Sequence, residues 1–385
     1  MANTRHALGF MSGTSLDGLD AAIIRTEGRG RDLQATVVTH RARSFAPDDL
    51  LSATLRDLAR NHPLTAAEIA DVAAAVGCIH ADLLGETCTD AGLDPKQDLD
   101  LVAIHGQTVT HRPPRSWQLV DPWPVAAAVE CPVVCDLRSA DLQAGGAGAP
   151  ITPRSDAVRF RDRRRPDRTT LILNLGGFAN ATLLPDVDLE PTGFDCCPCN
   201  HLLDAASREA LGLPFDPDGR SCVAGTADEA TATELALKIG DLGRAGRSGG
   251  DGDEHREAAA ALAREASRDG HPEAALATIA VAISEAVVRT VTTRLANLGL
   301  PPLGDCLLAG GGMRNRGLRT RLEAALGPSL QGTVRPTGEA GVDPQAREAA
   351  GMAVLGLLAL DGESITTTSS TGRATDVRGD GLWIR

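Results

Sequence analysis

The stretch GFMSGTSLDGLD, residues 9 to 20, decides how this chain is predicted to fold. It places two glycines and three hydroxyl side chains between two predicted strands, Arg5 to Phe10 and Leu19 to Arg25. Backbone N–H groups and short hydroxyls in such a loop suit an anion such as phosphate. Taken alone, the stretch is more often an ordinary Ser/Gly-rich turn, so its interpretation depends on the rest of the chain.

Two familiar phosphate-binding signatures do not fit this stretch. No lysine follows the glycines, which excludes a Walker loop, and a strand instead of a helix comes next, which excludes a dinucleotide fingerprint. The sequence therefore predicts a strand-loop-strand phosphate site.

Two more glycine stretches follow farther along the chain. Asn174 to Asn180 (NLGGFAN) lies between predicted strands at Thr169 to Leu175 and Ala179 to Leu184. Leu308 to Asn315 (LAGGGMRN) joins a predicted strand, Cys306 to Ala309, to a helix start, where a flat adenosine fits against the backbone. Each has an ordinary alternative, a β-bulge for the second stretch and close strand-helix packing for the third. The repeated strand-glycine-strand order indicates two similar halves.

Helix and loop signals complete the predicted order of elements. A capping box and an apolar face predict a helix from Thr65 to Gly92, and an N-terminal proline with a glycine after the end predicts another from Pro272 to Gly299. Asp343 to Leu360 is predicted as an apolar helix followed by a polar tail, and Asp241 to Glu257 as a mobile surface loop. Further strands are predicted at Ala35 to Arg43, Leu99 to Ile104 and Pro132 to Cys135.

Composition limits the class of protein. With 385 residues and 42% apolar side chains the chain can form two domains, and its formal net charge of -13 argues against nucleic acid or an anionic membrane as a partner. The opening MANTRHALGF is too short and polar for a signal peptide, and no apolar run of membrane-spanning length is visible. Nine cysteines without paired spacing favour reduced thiols. We therefore expect a cytoplasmic protein.

The three glycine stretches, in the order hairpin, hairpin, strand-to-helix, resemble the phosphate-1, phosphate-2 and adenosine motifs of the actin, sugar kinase and heat-shock ATPase superfamily. Within it, GFMSGTSLDGLD, HGQTVTH at His105 to His111, LNLGGFAN at Leu173 to Asn180 and AGGGMRN at Ala309 to Asn315 look like anhydro-N-acetylmuramic acid kinase in order and spacing. Weaker matches at residues 135–153, 341–349 and 370–379 extend the resemblance over nearly the whole chain.

The resemblance implies an α/β fold, namely the two-domain actin-like ATPase (ribonuclease H-like) fold with an interdomain nucleotide cleft. Domain I would comprise residues 1–135 and 343–385, with the phosphate-1 loop and the C-terminal helix. Domain II would comprise residues 136–342, with the phosphate-2 loop, the catalytic base and the adenosine loop.

The resemblance also implies an activity. That family uses ATP to phosphorylate the 6-oxygen of 1,6-anhydro-N-acetylmuramic acid while water opens the anhydro bridge, which recycles cell-wall peptidoglycan. We therefore expect a sugar kinase that uses ATP and Mg²⁺, acts on a small-molecule sugar and forms a homodimer, with neither nucleic acid nor a membrane as a partner.

The family's motifs imply a catalytic base, a nucleotide site and a sugar site in this sequence. Asp195, in GFDCCPCN, would take the proton from the attacking water, and Arg138 would orient the sugar. The implied ATP ligands are Gly13, Thr14, Ser15, Leu16, Asp17, Gly18, Asp20, Asn174, Gly176, Gly177, Gly310, Gly311, Gly312 and Asn315. The implied sugar ligands are His105, Gln107, Thr108, Arg138, Asn200 and Glu348. Glu348 has an alternative, which is to face solvent on its helix, and no residue is singled out as a metal ligand.

Phosphoryl transfer requires such a set whatever the family, because the protein must surround the phosphates with donors and position the nucleophile with a carboxylate. Asp17, Asp20 and Asp195 have the right chemistry. Their ordinary alternatives are a turn-stabilising acid, a solvated strand residue and an exposed loop acid, respectively. His105 and His111 are better explained as hydrogen-bonded loop residues that shape the sugar site than as a metal pair, because further ligands at metal spacing are missing.

The run after the base departs from the family pattern. This chain has Asp195-Cys-Cys-Pro-Cys-Asn where the family has Asp-Thr-Gly-Pro-Gly-Asn, or a version with Ala before the Asn. Cys196, Cys197 and Cys199 are the replacements, and the second and third are expected to narrow or reshape the pocket. A soft-metal or redox cluster is disfavoured because adjacent residues converge poorly on one ion. The family's Ser/Thr-Gly-Arg-Glu-x-Phe-Asn segment is reduced to Ala245 to Arg247. A kinase of a different anhydrosugar or small hydroxylated metabolite, and a catalytically inactive nucleotide-binding homologue, therefore stay open.

Overall fold

The structure, a computed structural model, describes residues 4–13, 18–46, 49–60, 62–244, 253–375 and 379–385, with only the backbone of 241–244 and 253–254. The chain divides into two compact units. The first comprises Met1–Arg161 and Gln345–Arg385, and the second comprises Asp162–Pro344.

The first unit is built on a mixed sheet. Its strands are β1 (Arg5–Met11), β2 (Gly18–Glu27), β3 (Gln34–Ser44), β4 (Leu101–His105), the hairpin strands β5 (Gln107–Arg112) and β6 (Arg115–Leu119), β7 (Val133–Cys135) and β13 (Leu382–Ile384). Its helices are α1 (Leu50–Ala59), α2 (Ala66–Ala91), α3 (Trp123–Ala128), α4 (Ser139–Gln143), α5 (Pro153–Arg159), α12 (Arg347–Leu360) and α13 (Thr368–Thr371). The six-stranded sheet has the order β13-β7-β4-β1-β2-β3, and β5 pairs with β6 beside it.

The second unit contains a five-stranded sheet and a larger set of helices. Its strands are β8 (Thr169–Leu175), β9 (Phe178–Leu184), β10 (Thr192–Pro198), β11 (Leu303–Ala309) and β12 (Val334–Pro336). Its helices are α6 (Asn200–Leu211), α7 (Arg220–Ala224), α8 (Glu229–Arg244), α9 (Asp253–Arg268), α10 (Pro272–Asn297) and α11 (Arg316–Leu326). The sheet order is β10-β9-β8-β11-β12.

Both sheets repeat one topology. In each unit the first three strands form an antiparallel meander, and the fourth strand then lies parallel to the first, on the side away from the second. The fifth strand lies parallel to the fourth. This repeated 3-2-1-4-5 order confirms the predicted α/β fold of the actin-like ATPases and the two similar halves.

Two long helices begin and end where their sequence signals predict. The Thr65 hydroxyl accepts from the Glu68 N–H and the Glu68 carboxylate accepts from the Thr65 N–H, which completes the capping box of α2. Gly92 ends this helix with a φ of 68°. Helix α10 begins at Pro272, and Gly299 beyond its end has a φ of 61°.

Helix α12 packs closely on the sheet of the first unit. Gly9 of β1 makes this approach possible, because a Cβ atom at that position would lie 2.1 Å from the carbonyl oxygen of Ala349 and 2.4 Å from the N atom of Ala353. Nearly all residues of α12 are buried, including Leu355 and Leu357 in the core between helix and sheet. The apolar helix predicted at Asp343 to Leu360 therefore exists but begins at Arg347.

The boundary between the units lies later than the sequence predicted. The prediction ended the first part of domain I at Cys135, whereas the first unit runs on to Arg161. Buried polar contacts explain the difference. Asp141 accepts hydrogen bonds from the Thr366 and Thr371 hydroxyls at 2.6 and 2.8 Å, so the segment after β7 is joined to the C-terminal part of the same unit.

Two other predictions need correction. The loop predicted at Asp241 to Glu257 is wrong at both ends, because α8 continues to Arg244 and α9 begins at Asp253. Residues 245–252, including Ala245 to Arg247, lie outside the described residues. The polar tail contains β13, which pairs antiparallel with β7 through Trp383 and Val134. Three residues are too short a stretch to show a strand pattern in sequence.

Among the described residues, only α10 is long and apolar enough to cross a membrane by length and composition. Ile279, Ile283 and Val287 on this helix are fully buried in the core of the second unit, against residues of its sheet. Its apolar character therefore has an explanation in packing within the unit.

Candidate functional site

The first glycine hairpin, between β1 and β2, is fastened by side chains. The buried Ser12 hydroxyl donates to the Gly18 carbonyl at 3.0 Å and lies 2.5 Å from Gln107 Oε1, and Gln107 Nε2 donates to the Gly13 carbonyl at 2.6 Å. The remaining loop residues, Thr14, Ser15, Leu16 and Asp17, lie outside the described residues. The described base of the loop is thus held from the start of β5.

Gln107 supports the loop from a fully buried position. Its amide oxygen lies 2.5 Å from the Ser12 hydroxyl, and its amide nitrogen donates to the Gly13 carbonyl and, at 3.3 Å, to the Thr108 carbonyl. Both ends of the amide are therefore engaged by the protein. A direct sugar contact of Gln107 or of the buried Thr108 stays a prediction.

Asp20 is paired, not merely solvated. Its Oδ1 lies 3.0 Å from Nε2 of His40, a side chain that is only 13% exposed. Sequence reasoning missed His40. The pairing register would have revealed it, because β3 places His40 opposite Ala22 and Ala42 opposite Asp20, so His40 is a diagonal neighbour of the carboxylate.

Arg138 organises the predicted sugar side of the first unit. Its Nε donates to Nε2 of the buried His105 at 3.1 Å, and its Nη1 donates to the Gly148 carbonyl at 2.7 Å. Burial, aided by the Arg138 charge, lowers the pKa of His105 to about 3 and that of His111 to about 4. Both histidines are therefore neutral near pH 7, and His111 Nδ1 lies 2.8 Å from the Ser116 hydroxyl.

Glu348 lies in the first turn of α12 and is partly buried, which disfavours the solvent-facing alternative. Burial raises the pKa of its carboxyl, Arg347 lowers that pKa, and the charges of Asp20 and Asp156 raise it further. Arg138 lowers it. Glu348 therefore lies within electrostatic reach of both Asp20 and Arg138.

The second glycine hairpin, between β8 and β9, is fastened by the backbone. The N–H groups of Cys199 and Asn200 donate to the carbonyls of Gly177 and Gly176 at 2.8 and 3.1 Å. A Cβ atom on Gly177 would lie 2.4 Å from Nε2 of His201, so only glycine fits there without displacing that ring. The turn is consequently seated against the start of α6.

Asp195 is positioned by a bulge in β10. It pairs with Asn180, and the register shifts before Cys197. Phe194 packs under the Arg294 guanidinium of α10 at 5.5 Å, and the Cys197 thiol lies 3.9 Å from the Ile283 carbonyl of the same helix. Phe194 and Cys197 thus both face α10, although residues three apart in a regular strand point to opposite faces of the sheet. The partly buried Asp195 is left on the opposite side from Phe194.

The three thiols after Asp195 belong to the core of the second unit. Cys196, Cys197 and Cys199 are all buried among its apolar side chains. Burial raises the pKa of each, to about 12 for Cys199, so they are protonated near pH 7 and are poor metal ligands. The sequence predicts that Cys197 and Cys199 narrow or reshape the pocket, and their burial in the core disfavours direct narrowing. The Cys199 thiol lies 3.9 Å from Oδ1 of Asn200, so an effect on the pocket through Asn200 stays a prediction.

The third glycine stretch leaves backbone open at Gly311. Gly310 has a φ of 83°, which favours glycine, and a Cβ atom on Gly311 would meet no atom within 4 Å. A Cβ on Gly312 would lie 2.8 Å from Oδ1 of Asn200, whose amide donates to the Leu175 carbonyl at 3.2 Å. The second and third glycine stretches are therefore linked through one side chain.

Asn315 and Asn174, predicted as ATP ligands, have structural positions in this region. Asn315 Oδ1 accepts from the Leu318 N–H at 3.0 Å and caps α11. Asn174 is nearly buried at the end of β8, and a Cβ on Gly310 would lie 2.7 Å from its Oδ1. Asn174 thus lies against Gly310 and Asn315 caps the next helix, whereas direct contact of either residue with ATP stays a prediction.

Three separate stretches of the chain offer backbone groups that suit parts of a nucleotide. Glycine turns follow β1 and β8, and accessible backbone follows β11, which suits phosphates and a flat base. Among the described residues, no group of three or more His, Cys, Asp or Glu side chains is arranged to hold a metal ion by itself. Mg²⁺ in nucleotide sites takes one or two carboxylates and completes its shell with waters and phosphate oxygens, so the partly exposed Asp20 meets the requirement.

Comparison with known proteins identifies the family. A family model described as anhydro-N-acetylmuramic acid kinase matches residues 5–379. The anhydro-N-acetylmuramic acid kinase of Salinibacter ruber is 34% identical over 389 residues, covering 96% of this chain and 93% of that protein. That of Rhizorhabdus wittichii is 31% identical over 375 residues, covering 97% of both. The crystal structure of component A of (R)-2-hydroxyglutaryl-CoA dehydratase from Acidaminococcus fermentans matches with a TM-score of 0.45 at 12% identity, covering 92% of this chain and 98% of that one, too distant to inform ligand or reaction. By its family model and relatives, this chain belongs to the anhydro-N-acetylmuramic acid kinase family.

Proposed function

We propose that this chain phosphorylates 1,6-anhydro-N-acetylmuramic acid at its 6-oxygen with ATP, while water opens the anhydro bridge. Family membership supports the sugar kinase activity. The observation that carries the hydrolytic step is the position of Asp195, which the β10 bulge separates from the thiols packed against α10. A carboxylate so placed is suited to act as a base.

Asp195 accepts a proton from the water that attacks the anomeric carbon. The bond between that carbon and the bridging 6-oxygen breaks, its electron pair stays on the oxygen, and this oxygen attacks the γ-phosphorus. ADP leaves as the phosphoryl group transfers, so the products are the 6-phosphate of the opened sugar and ADP. General bases of this kind contribute about 10²- to 10⁴-fold in rate.

The glycine stretches hold the nucleotide in this proposal. In this proposal Gly13, Gly18 and the Gly176–Gly177 turn would surround the phosphates. A Cβ on Gly311 would meet no atom within 4 Å, which leaves room for the adenosine at its backbone. Mg²⁺ neutralises phosphate charge when bound, and Asp20 is its candidate protein carboxylate. His40 holds that carboxylate in one orientation.

The sugar lies against Arg138, Glu348 and Asn200 in this proposal, with His105 keeping the guanidinium of Arg138 in place. Because His105 is neutral near pH 7, it accepts from Arg138 without adding repulsion. The alternative acceptors are another anhydrosugar or a small hydroxylated metabolite. They receive less support from the cysteine run, because those side chains lie in the core, and they stay open until acceptors are assayed.

A coupled ADP-release assay with 1,6-anhydro-N-acetylmuramic acid and MgATP tests the proposal. We expect turnover by the wild type and a loss of about 10²- to 10⁴-fold in kcat in Asp195→Asn. Asp188→Asn, an isosteric change in an exposed loop of the same unit, should leave turnover unchanged. No turnover by the wild type, or equal turnover by Asp195→Asn, rejects the reaction; ATP binding without transfer to any acceptor indicates an inactive nucleotide-binding homologue.

We also infer a cytoplasmic homodimer. All nine cysteines are free thiols in the structure, in keeping with a reducing compartment, and the family resemblance supplies the expectation of a dimer. Light scattering of the purified protein tests the dimer, and fractionation of cells that express it tests the location. A monomer over the working concentration range contradicts the first inference.

A further inference from the structure

Three charged side chains are buried together where α5 meets the start of α12. Arg347 donates from Nε to Asp156 Oδ1 at 3.1 Å and from Nη2 to Oδ2 at 2.5 Å, and the two side chains are only 4% and 1% exposed. Arg159 Nη1 donates to the main-chain carbonyl of Arg347 at 2.5 Å. This ion-pair cluster of Asp156, Arg159 and Arg347 holds both the side chain and the backbone of the residue before Glu348.

A buried ion-pair cluster is weak evidence for a gain in stability. Removing two charges from water is expensive, and apolar side chains of similar volume often stabilise a protein as well or better. A bidentate arginine-carboxylate pair instead fixes distance and orientation. The Asp156–Arg347 pair can therefore hold the adjoining start of α12 in a fixed position.

The N-cap residue of α12 provides no side chain that fixes the helix end. Ala346 at the N-cap supplies no side-chain hydrogen bond, so the first N–H groups of α12 have no capping side chain from this position. Helix ends without caps fray. The cluster supplies an alternative, because α5 holds the first helical residue from outside and Asp156 brings a negative charge to the positive end of the helix.

Glu348 is the next residue and depends on this arrangement. It interacts electrostatically with Arg347 and Asp156 of the cluster, with Asp20 of β2 and with Arg138. A small rotation or fraying of the first turn would move its carboxylate relative to Arg138, and small displacements of substrate-positioning groups have large effects on rate.

We propose that the buried ion pair between Asp156 and Arg347, together with Arg159, positions Glu348 toward the sugar. This inference rests on the proposed function. Asp156 and Arg347 are thus positioning residues that act through Glu348 and need not touch the substrate.

The same helix provides a matched control at its other end. Asp361, the C-cap of α12, accepts from Arg5 Nη1 and Nη2 at 2.7 and 2.8 Å, and the two side chains are as buried as the first pair. A helix of 14 residues is about 21 Å long, so this pair lies far from Glu348. Breaking it tests the loss of a buried ion pair on α12 without disturbing Glu348.

The first experiment compares Asp156→Asn with Asp361→Asn in steady-state kinetics. We expect Asp156→Asn to raise the sugar KM about tenfold or more while the ATP KM stays within about twofold, and Asp361→Asn to leave both within about twofold at a similar loss of thermal stability. Arg347→Lys, which keeps the charge but not the bidentate geometry, should have an intermediate sugar KM and serves if Asp156→Asn does not fold. An unchanged sugar KM in the folded variants, or an equal rise in Asp361→Asn, overturns the proposal.

The pH profile separates a positioning role from a merely structural one. The charge of Asp156 raises the pKa of Glu348, and the charge of Arg347 lowers it. Removing Asp156 should therefore lower this pKa, and removing Arg347 should raise it. With the carboxylate as the active form, the acid limb of kcat/KM for the sugar moves to lower pH in Asp156→Asn and to higher pH in Arg347→Gln. Shifts in the same direction overturn the proposal.

Hydrogen exchange distinguishes failure of this inference from failure of the proposed function. Amides in the first turn of α12 should exchange faster in Asp156→Asn and at the wild-type rate in Asp361→Asn, whether or not the protein turns over a sugar. A wild type without kinase activity rejects the proposed function alone. Unchanged exchange in Asp156→Asn rejects the positioning role even in an active enzyme.

Discussion

The two glycine hairpins share a topology but are held in different ways. In the first unit the side chains of Ser12 and Gln107 fasten the turn after β1. In the second unit the backbone at the start of α6 fastens the Gly176–Gly177 turn after β8. The first turn therefore depends on side-chain identity at a distant position in sequence, whereas the second depends on the absence of a side chain at Gly177.

Among the changes that test this comparison, Gly177→Ala in the second hairpin has the largest expected effect. The new Cβ would lie 2.4 Å from Nε2 of His201, whose ring contacts Phe178 at 5.4 Å and Arg256 at 3.0 Å and so cannot turn away freely. We expect kcat/KM for ATP to fall about 100-fold, or about 2.7 kcal/mol in transition-state binding. Steady-state kinetics with varied ATP measure it.

The double variant Gly177→Ala/His201→Ala sharpens this prediction, because it removes the obstructing ring and should regain much of the loss. Gly85→Ala in α2, where a Cβ would meet nothing within 4 Å, is the control for adding a methyl group. If the double variant is no better than Gly177→Ala, the close approach to His201 does not explain the effect.

A smaller effect is expected at the first hairpin from Gln107→Ala. The substitution leaves the Ser12 hydroxyl and the Gly13 carbonyl without their amide partner, and an unsatisfied buried polar group costs about 1–3 kcal/mol. We expect the ATP KM to rise about tenfold and the thermal unfolding midpoint to fall. A change confined to the sugar KM would show that Gln107 acts as a sugar ligand and not as support for the loop.

The cysteines behind the second hairpin should affect stability and not specificity. Cys197→Ala removes a buried sulfur in contact with α10 and should lower the free energy of unfolding by about 1–2 kcal/mol. The sugar KM and the ranking of acceptors should stay unchanged. Chemical denaturation and acceptor assays check both parts, and a new acceptor preference contradicts the placement of this side chain in the core.

The smallest perturbation is thiol labelling of the unmodified protein. Cys78 in the first unit is exposed, whereas the five cysteines of the second unit are buried and burial raises their pKa values, to about 12 for Cys199 and Cys222. A raised pKa means less thiolate at any pH below it, and burial keeps the reagent out. At pH 9 the exposed Cys78 should therefore be labelled much faster than the five cysteines of the second unit. Mass spectrometry of labelled peptides locates the sites. Rapid labelling of cysteines in the second unit would contradict their burial in its core.

Local signals predicted the long elements well because each signal is contained within its own segment. The capping box at Thr65 and the proline at Pro272 fix helix starts through neighbouring atoms alone. Contacts between distant segments are not encoded in this way. The His40 contact with Asp20 depends on strand register, and the ion pair of Asp156 with Arg347 depends on how α5 meets α12.

The same limit affected the candidate site. Sequence placed glycines and acids at the ends of the right strands, and it identified Asp195 within a motif. It did not predict that the side chains of Cys197 and Cys199 lie in the core, because the bulge in β10 that changes the alternation has no local sequence pattern. The side chain of Asn315, predicted as an ATP ligand, also caps α11, a role that N-cap preferences suggest, and its contact with ATP stays a prediction.

Gly9 is the first residue of the stretch GFMSGTSLDGLD, and it lies where β1 of the sheet contacts α12. Its missing side chain sets how near α12 comes to β1, with the Ala349 carbonyl in the space that a methyl group would occupy. Glu348 precedes Ala349 in that helix. A side chain at Gly9 would therefore push the start of α12 away from β1, and Glu348, the predicted sugar ligand in that turn, would move with it.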